Sequence, residues 1–154
     1  MVTAWRIVAT RFALDAFSGE GAWRYGGRWN SPGVWMVYTA GSISLALLEL
    51  LVHLNGSDVL GSYSRCAVRF DESLVTSLPV AKLPWDWRGS PAPAALQALG
   101  DEWISSLSSV VLKVPSAIID EESSYLINPE HEDFRLLELG DPQPFDLDPR
   151  LADK

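Results

Sequence analysis

The sequence has one cysteine, Cys66, which excludes an intramolecular disulfide and any thiolate cluster for zinc. A reducing, cytoplasmic setting is expected. Its only histidines, His53 and His131, each stand without a second ligand at metal spacing, so no metal is expected. No apolar run reaches the roughly 18 residues of a membrane span, and Arg6 and Arg11 interrupt Met1 to Leu14, unlike a signal peptide. A basic excess is also lacking. The formal charge of −8 has the wrong sign for a long footprint on a nucleic-acid backbone, where Lys and Arg must displace counterions. With no recognisable helix-turn-helix, a DNA-binding regulator is disfavoured. Gly19-Glu20-Gly21 lacks the third glycine and the strand-to-helix context of a dinucleotide fingerprint, and neither a G-x-S-x-G elbow nor a P-loop occurs.

The chain does contain 47% apolar and 21% charged residues in 154, which fits one folded domain with a core of ordinary size. The charge is uneven. Residues 1–30 carry Arg6, Arg11, Arg24 and Arg28 against Asp15 and Glu20, whereas the acidic excess falls from residue 61 onward. A small anion held by local arginines fits this distribution. The stretch Arg24 to Ser31, R-Y-G-G-R-W-N-S, has neither a strand nor a helix period. It has the makings of a ligand loop: glycines permit close backbone approach, a guanidinium can hold phosphate oxygens in bidentate fashion, and Trp29 offers a stacking face.

Trp5–Thr10 reads as a first strand, followed by a long polar, Gly-rich connection from Arg11 to Ser31, and Val34–Thr39 as a second strand. Ser42 or Ser44 can cap a Leu-rich helix running to Leu54 and ended by Asn55-Gly56. Tyr63–Phe70 alternates Cys66, Val68 and Phe70 with Arg65, Ala67 and Arg69, the pattern of a half-buried strand. Ser90-Pro91 is expected to open a second helix bearing Leu96, Leu99, Trp103 and Leu107, with Gly100 kinking or dividing it. Val110–Val114 and Phe134–Leu139 are the remaining strands. This order predicts a single α+β domain, 1–139, with a mixed, mostly antiparallel sheet and flanking helices. The acidic, Pro-rich tail, 140–154, is expected to be an extended arm or disordered.

Glu49 is the only charged residue between Arg28 and Asp58, and it shares a helical stripe with Ser42, Ala46 and His53. That stripe faces either water or a polar cavity, where a carboxylate can stabilise a developing cation. Each further candidate has a plain structural reading beside the functional one. Arg28 is an exposed turn arginine or an anion ligand, Arg6 an edge-strand arginine or a second ligand, and Tyr38 a core tyrosine or a ring flanking a bound base. Ser116 after Pro115 is a turn cap or a site hydroxyl, while Trp29 and Asn30 are secondary binding candidates.

Taken together, W-R at Trp5-Arg6, G-G-R-W-N at Gly26–Asn30, V-Y-T-A at Val37–Ala40, L-A-L-L-E-L-L-V-H at Leu45–His53, V-P-S-A at Val114–Ala117 and Y-L-I-N-P-x-H at Tyr125–His131 resemble the RES domain family. The likeness runs from Trp5 to about Phe134. It departs at Ser124, where members often have asparagine, and at Glu132, where a proline often follows the histidine. The family's arginine, glutamate and serine match Arg28, Glu49 and Ser116. The resemblance implies a fold similar to ADP-ribosyltransferases and the toxin of a toxin-antitoxin pair, covered at its active site by an Xre-like antitoxin. It implies NAD as substrate, either degraded by hydrolysis or phosphorolysis or used to transfer ADP-ribose to a target protein. The expected NAD ligands are Arg6, Arg28, Tyr38, Trp29 and Asn30, and self-association into a homo-oligomer would be ordinary. The alternative is a nucleotide-binding or protein-interaction module without chemistry.

Overall fold

The architecture, taken from a computed structural model that describes residues 1–153, is one mixed sheet with its two longer helices on the same face. The strands are β1 (Val2–Ala9), β2 (Val37–Ala40), β3 (Tyr63–Phe70), β4 (Val75–Ser77), β5 (Val111–Pro115), β6 (Ser123–Ile127), β7 (Glu138–Leu139) and β8 (Gln143–Phe145). They lie in the order β4-β5-β6-β2-β1-β3-β7, and β8 joins the free edge of β3. All pairings are antiparallel except β4 with β5. The helices are α1 (Glu20–Tyr25), α2 (Ile43–Leu51) and α3 (Ala94–Ser106). Among the described residues, no helix is long and apolar enough to cross a membrane.

Period-2 alternation divides the core. One face carries Ala4, Val37, Val68, Phe70, Val111 and Ile127. On the other, Ile7, Ala40 and Tyr63 receive Leu45 and Ala46 of α2, while Leu112, Val114 and Leu126 receive Leu96 and Trp103 of α3. Between these two packed regions the sheet nearly comes apart. β1 pairs with β3 along its full length, from Val2↔Phe70 to Ala9↔Tyr63, but meets β2 only at Trp5↔Ala40.

Several boundaries differ from the sequence reading for local reasons. The loop after β1 contains a short helix, α1, which ends at Gly26 with φ +71°, a left-handed value suited to glycine. The helix expected from Ser90 starts instead at Ala94, after Pro93, and Leu107 falls past its end in the αL region with an exposed side chain. The strand expected over 134–139 is reduced to Glu138–Leu139, because 132–136 form a 3-10 turn capped by the His131 ring accepting from the Asp133 N–H. The tail is ordered as an arm: β8 extends the edge of β3 through Tyr63↔Phe145 and Arg65↔Gln143.

Gly100 neither kinks nor divides α3. A Cβ there would lie 1.7 Å from the Trp29 carbonyl oxygen, so the helix rests directly on the backbone of the Gly26–Ser31 loop. Gly100→Ala is expected to destabilise the protein by about 1–3 kcal/mol, the usual cost of overpacking. Urea denaturation measures this, and an unchanged midpoint would contradict so close an approach.

Candidate active site

Where β1 and β2 part, a cleft of about 980 Å³ opens, at the upper end of the roughly 300–1,000 Å³ typical of ligand pockets. Its walls include Arg6 from β1, Tyr38 from β2, Glu49 from α2, His53 from the turn after it, and Arg28 and Ser116 from loops. The loop guanidinium and the helix carboxylate therefore open onto one space.

Arg28 emerges from a loop whose polar groups are almost all committed. Asn30 is 0% exposed; its amide donates to the carbonyls of Ala22 (2.9 Å), Ser31 (3.1 Å) and Val34 (3.1 Å). Its Oδ1 accepts the Tyr38 hydroxyl at 2.6 Å, and that hydroxyl accepts the Trp29 N–H at 2.9 Å. α3 adds Gln97, whose side chain donates to the Gly27 and Asn30 carbonyls, and Asp101, whose carboxylate takes the Ser31 N–H and hydroxyl. A side chain at Gly27 would strike the Tyr38 hydroxyl at 2.6 Å, so glycine is required there by close approach.

These bonds correct two expectations. Trp29 is 3% exposed and packs with Met36, Trp87 and Trp103, so its indole is core rather than an open stacking face. The Asn30 amide has no capacity left for a ligand; it holds the loop in shape. Tyr38 does both: its hydroxyl clamps the loop while the residue lines the cleft.

α2 is capped by Ser42, whose hydroxyl accepts the Leu45 N–H, and presents Ala46 and Glu49 to the cleft; it ends at Leu51 rather than Leu54, and His53 reaches the cleft from the turn beyond. Ser42 itself belongs to the cap and to a 3.0 Å bond with Glu122 rather than to the cleft stripe. The Glu49 carboxylate accepts the Ser116 hydroxyl at 3.1 Å. Ser116, 1% exposed, is itself fixed by accepting the N–H groups of Ile118 (3.1 Å) and Ile119 (3.2 Å). Glu49 is therefore aimed by a neutral donor.

Three cations border the cleft. Arg6 donates to the Ala16 carbonyl and, among the described residues, has no carboxylate within 4.0 Å; burial holds its pKa below the ordinary guanidinium value. Arg28 donates to the carbonyls of Trp87 (3.0 Å) and Gly89 (2.8 Å). Arg88, which sequence reading missed, donates to the carbonyls of Ala117 and Ile118. A lone arginine in W-D-W-R-G-S-P gives no periodic signal, and its partners lie about 30 residues away. The late loop is structural: the Asn128 side chain caps its own turn, and His131 Nε2 lies 2.9 Å from the Leu107 carbonyl. Ser124 does line the cleft. Among the described residues, no group of three or more His, Cys, Asp or Glu is placed to hold a metal ion.

Comparison with known proteins gives a match to the RES domain over residues 3–148. The chain is 40% identical over 148 residues to the protein named Toxin Res of Yersinia enterocolitica, covering 96% of this chain and 97% of that one. It is 36% identical over 155 residues to the Prs ADP-ribosylating toxin of a Sphingobium species, covering 97% and 96%. In fold it is similar to the crystal structure of the M. tuberculosis MbcT-MbcA toxin-antitoxin complex, with a TM-score of 0.77 at 22% identity over 99% of this chain and 87% of the matched one.

The Tyr38 clamp can be tested directly. Burial raises the Tyr38 phenol above its ordinary 10.0; the Trp29 N–H lowers it next most, Asp101 adds a further raise, and Arg28 and Asn30 lower it slightly. A raised phenol pKa in the folded state means that its contribution is present below pH 10 and is lost as pH rises above it, because the unfolded chain ionises first. Tyr38→Phe is expected to cost about 1–3 kcal/mol at neutral pH by leaving the Trp29 N–H and Asn30 Oδ1 unpaired. It should also flatten the alkaline fall in stability, leaving the parts owed to Tyr125 and Cys66, likewise raised by burial. Denaturation curves from pH 7 to about pH 11 measure both effects.

Proposed function

Because this chain belongs to the RES domain family, we propose that it is the toxin of a bacterial toxin-antitoxin pair and an enzyme that breaks the nicotinamide–ribose bond of NAD. The observation that carries this reading is the meeting of Arg28 and Glu49 on one cleft, with the Ser116 hydroxyl fixed on the carboxylate. The name of the Sphingobium relative, an ADP-ribosylating toxin, supports NAD as the substrate, and the complex formed by the fold neighbour supports a protein antitoxin.

Cleavage moves the electron pair of the C1′–N bond onto the pyridinium nitrogen, so nicotinamide leaves neutral and positive charge develops on the ribose. A preorganised carboxylate beside that charge lowers the barrier, as in glycoside hydrolysis. Glu49 takes this role. Its Oε1 is occupied by Ser116, and among the described residues no protein group donates to Oε2, which is left for a ribose hydroxyl. Arg6 and Arg28 take the pyrophosphate through charge-assisted hydrogen bonds. Arg6, partly buried and without a carboxylate within 4.0 Å among the described residues, suits an anionic guest. Tyr38 borders the nicotinamide. Ser116 acts through Glu49, by its hydrogen bond, rather than by holding the amide.

Water, phosphate or a protein side chain then attacks the same C1′ centre, and mass spectrometry of the products identifies which. The antitoxin is proposed to be Xre-like and to cover the cleft mouth.

Incubation with NAD should release free nicotinamide. Glu49→Gln should keep NAD affinity and lose turnover about a hundredfold or more, the scale of removing one preorganised electrostatic group; undiminished turnover would remove Glu49 from the chemistry. Arg28→Ala should weaken NAD binding in calorimetry. An unchanged affinity would reject its pyrophosphate role.

A further inference from the structure

The residues between Leu83 and Ala94 form a strap of turns and bends with no helix, and Arg88, Ser90, Pro91 and Ala92 of it line the cleft. On one side, the Arg28 guanidinium donates from a single nitrogen to the Trp87 and Gly89 carbonyls, at 3.0 and 2.8 Å. On the other, Arg88 reaches the turn after β5. Its Nε donates to Ala117 O at 2.9 Å and its Nη2 to Ile118 O at 3.0 Å, and its Nη1 lies 3.7 Å from Asp120. The strap is anchored beneath by Trp87, buried among Trp29, Leu96 and Trp103.

That turn also carries Ser116, which accepts the N–H groups of Ile118 and Ile119 and donates to Glu49. A continuous run of hydrogen bonds therefore joins the two groups that the proposed chemistry needs: Arg28 to the carbonyls flanking residue 88, Arg88 to the carbonyls flanking the Ser116 cap, and Ser116 to Glu49. Arg88 is the middle of that run. Without it, β5 and its turn are tied to the Arg28 loop only through the sheet and the packed core.

We propose that Arg88 is a positioning residue that sets the separation and orientation of Glu49 relative to Arg28. It rests on the reading of this cleft as an NAD-cleaving site. Arg88 acts with two parallel N–H donors in fixed planar geometry, a fork that lysine cannot reproduce. Its charge is already partnered by Asp120 and its donors by carbonyls, which marks it as a fastener rather than a third phosphate ligand. Displacement of a catalytic group by about 1 Å can cost about a hundredfold in rate. A positioning residue is therefore expected to act on turnover more than on affinity.

The test uses the whole chain and the variants Arg88→Met and Arg88→Lys, alone and combined with Glu49→Gln. Arg88→Met is expected to lower kcat for nicotinamide release about tenfold to a hundredfold, with Kd for NAD by calorimetry changed by less than about threefold. Arg88→Lys should not restore the rate. In the Glu49→Gln background Arg88→Met should add little further loss, because it acts through that carboxylate. A tenfold rise in Kd, full rescue by lysine, or losses that multiply in the double variant would each overturn the assignment. Hydrogen exchange supplies a readout independent of any reaction. In Arg88→Met the amides of Ile118 and Ile119 should exchange about tenfold faster, while those of β3 remain unchanged. Unchanged exchange at 118 and 119 overturns the coupling. Absence of nicotinamide release by the unsubstituted protein would instead sink the NAD reading, with the exchange result still deciding whether Arg88 fastens the turn.

Discussion

An irregular loop buried beneath a helix is tenable only when its polar groups find partners inside the protein, and Gly26–Ser31 meets that condition through Asn30. Each buried donor or acceptor left unpaired would cost about 1–3 kcal/mol. The Asn30 amide serves three carbonyls and its oxygen takes the Tyr38 hydroxyl. Tyr38, Gln97 and Asp101 then cover much of the remaining backbone. The consequence for the site is direct. Arg28 therefore starts from a base whose backbone is held by hydrogen bonds, and its guanidinium is held in turn by the Trp87 and Gly89 carbonyls.

The second condition is the single joint at Trp5↔Ala40. A sheet zipped along all of β1 and β2 would fill this space with paired backbone. Instead, α2 buries Leu45 and Ala46 on one half and α3 buries Leu96 and Trp103 on the other, so the halves are each secured and the gap between them persists. The gap exposes Arg6, which would otherwise sit beneath a continuous sheet. In a chain of net charge −8, Arg6 and Arg28 both line this cleft with no carboxylate within 4.0 Å among the described residues, and the local field rather than the overall charge governs which ligand enters.

Sequence was most informative where one element determines its own pattern. The alternation in Tyr63–Phe70 matched β3 with its bounds, and the Ser cap with leucines matched the start of α2 and put Glu49 on a stripe facing water or a cavity, which the fold resolves to the cleft. It was least informative where neighbours decide. β6 lies between β5 and β2, and a central strand need not alternate. β4, β7 and β8 have two or three residues each and exist because a partner strand offers an edge; Pro144 is tolerated in β8 because that strand is outermost. In the candidate site, Arg28 and Glu49 were legible because an arginine after paired glycines and a carboxylate among leucines contradict their surroundings. The structural duty of Asn30 and the reach of Arg88 were hidden, because both depend on carbonyls whose positions only the fold specifies.

The choice of serine to hold Glu49 follows from the same electrostatics. An arginine at that distance would orient the carboxylate as well, but its positive charge would offset the field that a cationic ribose needs, and inside a cleft that loss is far larger than in water. A hydroxyl restrains the group and leaves its charge intact. Ser116 can do so because its own oxygen is pinned by two backbone N–H groups, which align the hydroxyl before any ligand arrives. Arg6 and Arg28 line the same cleft, and no guanidinium lies within 4.0 Å of Glu49 among the described residues. On the proposed reading, the separation of roles, guanidinium for the anion and an unneutralised carboxylate for the developing cation, rests on which residues lie next to Glu49.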